Sequence, residues 1–243
     1  MYKEFVDIHS HILPKTDDGS VSMDESIQIL RKMCEIGVSE LFVTPHFCKR
    51  RGYIKSVGEI LDVYYDLRNM CIAENIPIKL HLGTEMEYSQ DGQRYIREGR
   101  VNTLADSKYI LVEFAPYVHY EKIIHCVKQI TAQGLVPVLA HIERCQCVHR
   151  NIDMLYEVKG MGALLQANIR SVCNARLTHR KFMKTIFQNH LIDFLAGDVH
   201  RDAIEIDEMQ KCCASVLKCT DEEYLNSLLH TNAKKYLLSK EKL

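Results

Sequence analysis

The sequence predicts a single α/β domain built on parallel strands, and three observations support this prediction. Short apolar segments rich in β-branched residues alternate along the chain with longer segments of helical periodicity. Gly37, Gly134 and Gly160 follow three of the helical segments, where left-handed helix ends are expected. No Pro/Gly/Ser-rich linker interrupts residues 1–243, so one domain is the simplest organisation.

Seven segments are predicted to be strands, and helices are predicted between them and in the tail from Arg201 onward. Strands that alternate with helices imply right-handed crossovers between parallel strands. Seven strands suit closure into a distorted (β/α)7 barrel, similar to a TIM barrel and with additional C-terminal helices, better than an open sheet. The predicted strands are Phe5–Ile8, Glu40–Thr44, Ile78–Gly83, Tyr109–Phe114, Val136–Ala140, Ala163–Ala167 and Ile192–Ala196. The predicted helices between them are Met23–Ile36, Val57–Asn75, Tyr120–Gln133, Ile152–Lys159 and His179–Asn189.

The composition narrows the class of protein. Lys plus Arg is 31 and Asp plus Glu is 32, so the formal net charge is -1 and gives no electrostatic basis for nucleic acid or an anionic membrane as partner. The sequence shows neither a signal-peptide pattern nor an apolar run long enough to cross a membrane. The ten cysteines form no C-x-x-C pair. We therefore expect a cytoplasmic protein with reduced thiols, and the sequence leaves its oligomeric state open.

Histidines and carboxylates follow nearly every predicted strand. Because parallel strands end at the same edge of a sheet, these side chains are expected to meet there. The sixth strand leads instead to Gln166, Asn168 and Arg170. At the other strand ends stand His9, His11, Asp17, Asp18, His46, Glu85, Glu87, Glu113, His141, Glu143, Arg144, Asp198 and His200.

As a set, these residue types predict a multinuclear metal site. A lone histidine such as His46 is more often structural, but Glu113 lies inside an apolar strand and needs a cation or a strong donor. His9 and His11 are one residue apart in an extended segment, so their side chains point to one side and can bind one ion. Imidazoles and carboxylates without paired thiols suit Mn, Fe or Zn. Asp7, just before them, is expected to orient an imidazole.

The motifs D-I-H-S-H, D-D-G, T-P-H, G-x-E, E-F, H-I-E-R and D-x-H, in this order from Asp7 to His200, resemble the PHP (polymerase and histidinol phosphatase) superfamily. Within it, the chain is similar to the bacterial manganese-dependent tyrosine-protein phosphatases of capsule and exopolysaccharide loci. The resemblance implies a distorted (β/α)7 barrel that holds three divalent metal ions. It implies Mn as the metal, although Fe or Zn fits the ligands equally well. It also implies the ligands. These are His9, His11, Glu85 and Asp198 for one ion; Glu113 and His141 for a second, with Glu85 bridging it to the first; and Asp18, His46 and His200 for the third.

The resemblance further implies that Arg144 contacts the phosphate. From their place at the expected barrel mouth, His200 or Asp18 could donate a proton to the leaving oxygen. Family members often carry a further arginine several residues after D-x-H. Here Arg201 follows His200 directly, so either it replaces that arginine or the second phosphate contact is missing. Arg170 is placed equally well to donate to phosphate or to pair with an acid at the rim.

One segment beside the predicted site is strongly basic. Lys49, Arg50 and Arg51 follow His46, and they either attract an acidic phosphorylated segment or form a solvated loop.

The expected activity is hydrolysis of phosphotyrosine by a metal-activated hydroxide, on the tail of a bacterial tyrosine kinase that governs polysaccharide export. A small-molecule phosphatase such as histidinol phosphatase is the alternative. Neutral charge disfavours a nuclease or phosphodiesterase, and the complete ligand set disfavours a non-catalytic domain. A cysteine phosphatase would need C-x5-R, and Cys145 is one residue too close to Arg150.

Overall fold

The computed structural model describes residues 4–149, 151–175 and 177–239, and its strands are short and all paired in parallel. No helix in these ranges is long and apolar enough to span a bilayer. The strands are β1 (Phe5–Asp7), β2 (Val38–Val43), β3 (His46–Phe47), β4 (Lys79–Leu82), β5 (Glu85–Glu87), β6 (Tyr109–Glu113), β7 (Val136–Leu139), β8 (Leu164–Asn168) and β9 (Phe194–Ala196).

The strands form two parallel sheets, so the predicted α/β class is confirmed. One sheet has the order β1-β2-β4 and the other the order β3-β5-β6-β7-β8-β9. The predicted strands Glu40–Thr44 and Ile78–Gly83 correspond to β2 and β4. After short interruptions at residues 44–45 and 83–84, the chain continues into β3 and β5 of the other sheet, two strands that the sequence did not predict. β1 is an edge strand of the first sheet and β9 is an edge strand of the second. The segments that follow them are joined: Asp198 N donates to His9 O over 2.9 Å, and Ser10 pairs with Val199 in a parallel bridge.

Helices connect the strands as the periodicity predicts, and each predicted helix has a counterpart. Local chemistry fixes their starts: the Ser22 side chain accepts from Glu25 N, and Ser56 and Glu59 form a capping box. The sequence did not predict α3, α5 and α7, which are too short to show a helical period. The helices are α1 (Met23–Glu35), α2 (Val57–Ala73), α3 (Gly92–Arg97), α4 (Tyr120–Thr131), α5 (Gln146–His149), α6 (Asp153–Gly160), α7 (Ile169–Cys173), α8 (Leu177–Gln188), α9 (Ile206–Leu217) and α10 (Glu222–Asn226), followed by π-helical turns over Ser227–Thr231 and Ala233–Leu237.

The C-terminal turns cover the amino ends of the strands. The Tyr236 ring lies 5.9 Å from that of Tyr109 and 6.3 Å from that of Phe194, between centroids, and these are the first residues of β6 and β9. Leu237 joins the same small apolar cluster of strand residues. A larger core lies between the sheets and the helices. The tail therefore covers one end of the strands and leaves the carboxyl ends for polar side chains.

Candidate metal centre

The first group of polar side chains comes from the segments after β1 and β9 and from the first residue of β5. Nε2 of His9 and Nε2 of His11 lie 3.1 Å apart, and both point at the same carboxylates. Glu85 Oε2 is 3.2 Å from the first nitrogen and 3.1 Å from the second. Asp198 Oδ1 is 3.5 Å and 3.4 Å from them. The H-x-H spacing thus places two imidazoles on one side of the segment, as predicted.

Both imidazoles are held by their other ring nitrogens. His9 Nδ1 lies 3.2 Å from Gln166 Oε1, and His11 Nδ1 lies 2.7 Å from Asp17 Oδ2. Asp17 also accepts from the backbone N–H of His46 over 2.8 Å, which ties the D-D-G turn to the next strand. These partners fix the ring orientation and the tautomer that leaves each Nε2 facing the carboxylates.

The second group centres on Glu113, at the end of β6. His46 Nδ1 lies 3.0 Å from Glu85 Oε2 and 3.1 Å from Glu113 Oε1. His141 Nε2 lies 2.9 Å from Glu85 Oε1, and its Nδ1 is buried without a hydrogen-bond partner among the described residues. The structure therefore brings His46 next to Glu113, whereas the resemblance pairs Glu113 with His141; both imidazoles share Glu85.

The third group lies nearer the solvent. Asp18 Oδ1 is 3.5 Å from His46 Nε2 and 3.5 Å from His200 Nε2, and the ring of His11 lies 4.1 Å from that of His200. Nδ1 of His200 is 3.0 Å from the carbonyl oxygen of Asp198, which orients the ring. Each predicted metal ligand thus contacts another predicted ligand in this one region.

The donor set fits divalent metal ions. In each of three groups, the possible ligand atoms lie within 4.8 Å of one another, which is close to the separation of about 4.0–4.4 Å between ligand atoms on opposite sides of one ion bound at about 2.0–2.2 Å. Glu85 Oε2 and His141 Nδ1 are buried without hydrogen-bond partners among the described residues, as expected of ligand atoms. Nitrogen and oxygen donors suit Mn, Fe or Zn. The three groups are His9, His11, Glu85 and Asp198; His46, Glu85 and Glu113; and His11, Asp18, His46 and His200.

The electrostatics of the site keep its carboxylates ionised. Burial alone would raise the pKa of Glu85, but the charge of His9 and the contacts of neighbouring imidazoles, including the hydrogen bond from His141 to Oε1, hold that pKa well below its ordinary value. The pKa of Asp198 is lowered in the same way, with burial opposed chiefly by His9. Burial opposes the charged form of His46 also, yet Glu113 and Glu85 raise its pKa to about 9. Ionised carboxylates clustered away from bulk water favour a cation.

Two of these residues have strained backbones. His141 has φ 31° and Asp198 has φ 50°, in the left-handed region that non-glycine residues rarely adopt. Such conformations persist only where surrounding contacts impose them. Here the backbone N–H of His141 donates to Gln166 Oε1 over 2.9 Å, and that of Asp198 donates to His9 O over 2.9 Å.

The three arginines that the sequence singled out have different partners. Arg144 Nη2 lies 3.0 Å from Asp198 Oδ2, beside the clustered carboxylates. Arg201 pairs with Glu25, on α1, over 3.1 Å. Arg170 pairs with Glu208 over 3.2 Å and donates to a backbone carbonyl over 2.7 Å, which is the rim pairing that the sequence left open. Among the described residues, only the first of these three arginines pairs with a predicted metal ligand.

Two side chains have roles that sequence reasoning missed. Arg51 Nη2 lies 2.5 Å from Glu113 Oε1, and its Nη1 lies 3.3 Å from Asp18 Oδ2. The sequence indicated a basic loop beside the site, but it could not show that this arginine side chain points toward the predicted metal ligands. Asp7 does not orient an imidazole as predicted: its carboxylate accepts from the backbone N–H groups of His9 and Gly197, over 3.2 Å and 3.0 Å. Burial raises the pKa of Asp7 to about 7.

Parallel strands that hold clustered imidazoles and carboxylates at their carboxyl ends define an α/β protein with a candidate multinuclear metal centre. The family model for capsular polysaccharide synthesis, CpsB/CapC, matches residues 5–238. The chain belongs to this family, which confirms the resemblance.

Two relatives that are named tyrosine-protein phosphatases align with most of the chain. The tyrosine-protein phosphatase CpsB of Streptococcus pneumoniae is 28% identical over 240 residues, 96% of this chain and 98% of that protein. The tyrosine-protein phosphatase YwqE of Bacillus subtilis is 29% identical over 197 residues, 80% of this chain and 77% of that one.

Solved structures share the fold. One from a study of YwqE of Bacillus subtilis and CpsB of Streptococcus pneumoniae, described as unique metal-dependent tyrosine phosphatases, matches with TM-score 0.83 at 25% identity, covering 96% of this chain and 94% of that one. A histidinol phosphate phosphatase of Lactococcus lactis matches with TM-score 0.62 at 12% identity, covering 90% and 94%, which shows likeness of fold alone.

Proposed function

We propose that this protein is a metal-dependent phosphatase that hydrolyses phosphotyrosine in proteins. The observation that carries the proposal is the set of three overlapping histidine and carboxylate groups at the carboxyl ends of the strands. Its CpsB and YwqE relatives are named tyrosine-protein phosphatases, and the alignment with CpsB spans nearly the whole of both chains. Membership of a capsular polysaccharide synthesis family supports a phosphorylated bacterial tyrosine kinase of capsule or exopolysaccharide export as substrate.

The family resemblance supports specific roles for this chain's residues, and the geometry agrees with it for the first and third ions, while at the second ion it also brings His46 next to Glu113. His9, His11, Glu85 and Asp198 would hold one ion; Glu85, Glu113 and His141 a second; and Asp18, His46 and His200 a third. Bound divalent ions would lower the pKa of a water molecule and offset the charge of the phosphoryl oxygens. We propose Mn as the metal, with Fe or Zn as alternatives.

Arg144 would bind the phosphoryl group by its guanidinium, which Asp198 holds in place. His200 or Asp18, at the exposed side of the cluster, would donate a proton to the leaving phenolate. A phenolate needs little protonation, so substitution of either residue should matter more for alkyl phosphates of high leaving-group pKa. Comparing aryl and alkyl phosphates with His200→Asn and Asp18→Asn tests this; an unchanged leaving-group dependence in both excludes the role.

We further propose that the two sheets close into the distorted (β/α)7 barrel expected for residues 1–243 as one domain. The hydrogen bonds between the segments after β1 and β9 support closure, because these segments adjoin the edge strands of the two sheets. A cytoplasmic location fits the ten cysteines, which are all described and all free thiols.

The decisive experiment is turnover of matched substrates by the protein loaded with Mn. A phosphotyrosine peptide, the same peptide with phosphoserine, and histidinol phosphate are compared by phosphate release, with metal content measured on the same samples. We expect the phosphotyrosine peptide to have the highest kcat/KM and activity to follow metal content. A higher kcat/KM for histidinol phosphate would identify a small-molecule phosphatase instead, and turnover independent of metal would refute the metal-dependent mechanism.

A further inference from the structure

The basic loop after β3 is a defined hairpin. Cys48 N donates to Tyr53 O over 2.8 Å, and Tyr53 N donates to Cys48 O over 3.0 Å. Between them lies a 3₁₀ turn over Lys49–Arg51, which ends at Gly52 with φ 79°. That left-handed conformation suits glycine and lets the chain reverse tightly. Arg50 and Arg51 are therefore consecutive residues of one tight, hydrogen-bonded turn.

The two arginines of the hairpin point to different places. Arg50 pairs with Glu87 over 2.6 Å at the rim, and its side chain is 71% exposed. Arg51 turns inward to Glu113 and Asp18, and its side chain is 30% exposed. Its guanidinium lies 5.5 Å from the centroid of the Tyr53 ring, a cation–π distance. One arginine is thus directed to the rim and the other to the candidate metal centre.

Tyr53 connects this arginine to the ligand groups. Its ring stacks on that of His46 with centroids 5.8 Å apart and an interplanar angle of 9°. Arg51 Nη2 also lies 3.3 Å from His46 Nδ1. The arginine, the tyrosine and the histidine form one packed unit, so the guanidinium is positioned rather than free in solvent.

Arg51 and Arg144 are bound to carboxylates from different strand ends. Arg51 is paired with Asp18 and Glu113, after β1 and on β6, and Arg144 is paired with Asp198, after β9. A phosphoryl group bound over the cluster exposes several charged oxygens, and guanidinium groups on different sides stabilise them best. A guanidinium has five N–H donors. The carboxylates of Asp18 and Glu113 do not use all five of these N–H donors of Arg51, so the others are available to a phosphate oxygen.

We propose that Arg51 is a second phosphate-binding arginine of this site and acts together with Arg144. The proposal deepens the proposed function and rests on it. The sequence left open whether Arg201 or Arg170 supplies a second phosphate contact. The guanidinium groups of these two arginines are bound to Glu25 and Glu208, and the proposal assigns that contact to Arg51 instead.

Affinity for inorganic phosphate tests the proposal directly. The probe is inorganic phosphate titrated into the Mn-loaded protein by calorimetry, and bound Mn is measured in every sample. Arg51→Gln removes the guanidinium, Arg51→Lys keeps the charge, and Arg50→Gln is the matched control on the same turn. We expect Arg51→Gln to weaken phosphate binding by roughly 10- to 100-fold, the usual effect of losing a hydrogen bond to a charged group. The phosphate affinity of Arg51→Lys should lie between that of Arg51→Gln and that of wild type, and the affinity of Arg50→Gln should stay within about twofold of wild type.

Each contrary result has a defined meaning. Unchanged phosphate affinity in Arg51→Gln with full metal content overturns the proposal, and so does a loss of bound Mn that accounts for the weaker binding, because the arginine would then only support Asp18 and Glu113. Phosphotyrosine turnover by wild type is measured in parallel. If wild type does not hydrolyse phosphotyrosine but Arg51→Gln still loses phosphate affinity, the proposed function fails and the arginine assignment stands.

Discussion

Glu40 and Glu85 are both buried carboxylates of the parallel strands, and they differ in the positive groups around them. Glu40, on β2, is paired with Lys234 through Oε1 and with His81 through Oε2, the latter over 2.5 Å. Glu85, on β5, has imidazoles around it, and no described lysine or arginine lies within ion-pair distance of it. Its Oε2 has no hydrogen-bond partner among these residues.

The difference separates a structural ion pair from a ligand site. A buried carboxylate is costly unless it is paired. Lys234 lies in the C-terminal turns that cover the amino ends of the strands, so its pairing with Glu40 attaches the tail to the sheet. At Glu85 the partners are imidazoles, which serve equally as metal ligands. The kind of partner therefore distinguishes the two sites better than burial does.

The largest expected effect is the loss of a ligand from the Glu85 region. Asp198→Asn and His141→Ala should each lower kcat/KM by more than about 100-fold, because metal binding and charge stabilisation are lost together. Phosphate release and bound metal measured on the same samples check this. Full activity in either variant would contradict the metal centre, and circular dichroism shows whether the variant is folded.

A smaller effect is expected from the residue that orients a ligand. Asp17→Asn keeps the size of the side chain but removes the charge beside His11 Nδ1, so metal affinity should fall by roughly 10- to 100-fold. Titration of the metal-depleted protein with Mn measures the change. Asp24→Asn, a substitution in the first turn of α1, is the control and should leave the affinity at the wild-type value.

At Glu40 the change should affect stability and not metal binding. Glu40→Gln leaves Lys234 without its carboxylate partner, and we expect the free energy of unfolding to fall by about 1–3 kcal/mol. Chemical denaturation measures this, with Lys234→Met as the partner variant. A loss of bound Mn in Glu40→Gln, with the fold intact, would show that the two regions are coupled and that Glu40 is not a purely structural ion pair.

The smallest effect is on the pH dependence of stability. Burial opposes ionisation of Glu40, but Lys234 and His81 hold its pKa below the ordinary 4.5, so its contribution is present above that pH and is lost as pH falls through the folded pKa. Burial also lowers the pKa of His81 below 6.5, so the unfolded chain takes up its proton first and stability falls on acidification below 6.5.

Denaturation at pH 7, 5.5 and 4 of the metal-depleted protein separates these two contributions. Glu40→Gln should show a weaker fall of stability below pH 4.5 than wild type, and His81→Gln a weaker fall below pH 6.5. Parallel curves for wild type and Glu40→Gln would rule out the role assigned to that carboxylate.

Much of the architecture was readable from the sequence because it depends on periodicity. The alternation of strands and helices and the positions of the strand ends follow from apolar patterning. Once strand ends coincide, residues such as His9, Glu113 and Asp198 must come together. The strands β3 and β5 were missed, because they are only two and three residues long and carry too little apolar pattern to be recognised.

The remaining features depend on side-chain direction within loops, which no periodicity encodes. Asp17 and Asp18 are adjacent in sequence, yet one holds the ring of His11 and the other faces His200. The inward direction of Arg51 depends on a hairpin closed at Gly52. Asp7, expected to bind an imidazole, satisfies backbone N–H groups instead.

The left-handed conformations of His141 and Asp198 connect the chemistry of this protein to the limits on its evolution. Each such residue costs on the order of 1–3 kcal/mol relative to a relaxed backbone, and the rest of the fold must compensate. Glycine at either position would relieve that cost but remove a predicted ligand. Selection for stability alone would therefore remove the residues that the site needs. The cap on the amino ends of the strands, far from the chemistry, is then where stabilising changes can accumulate without cost to function.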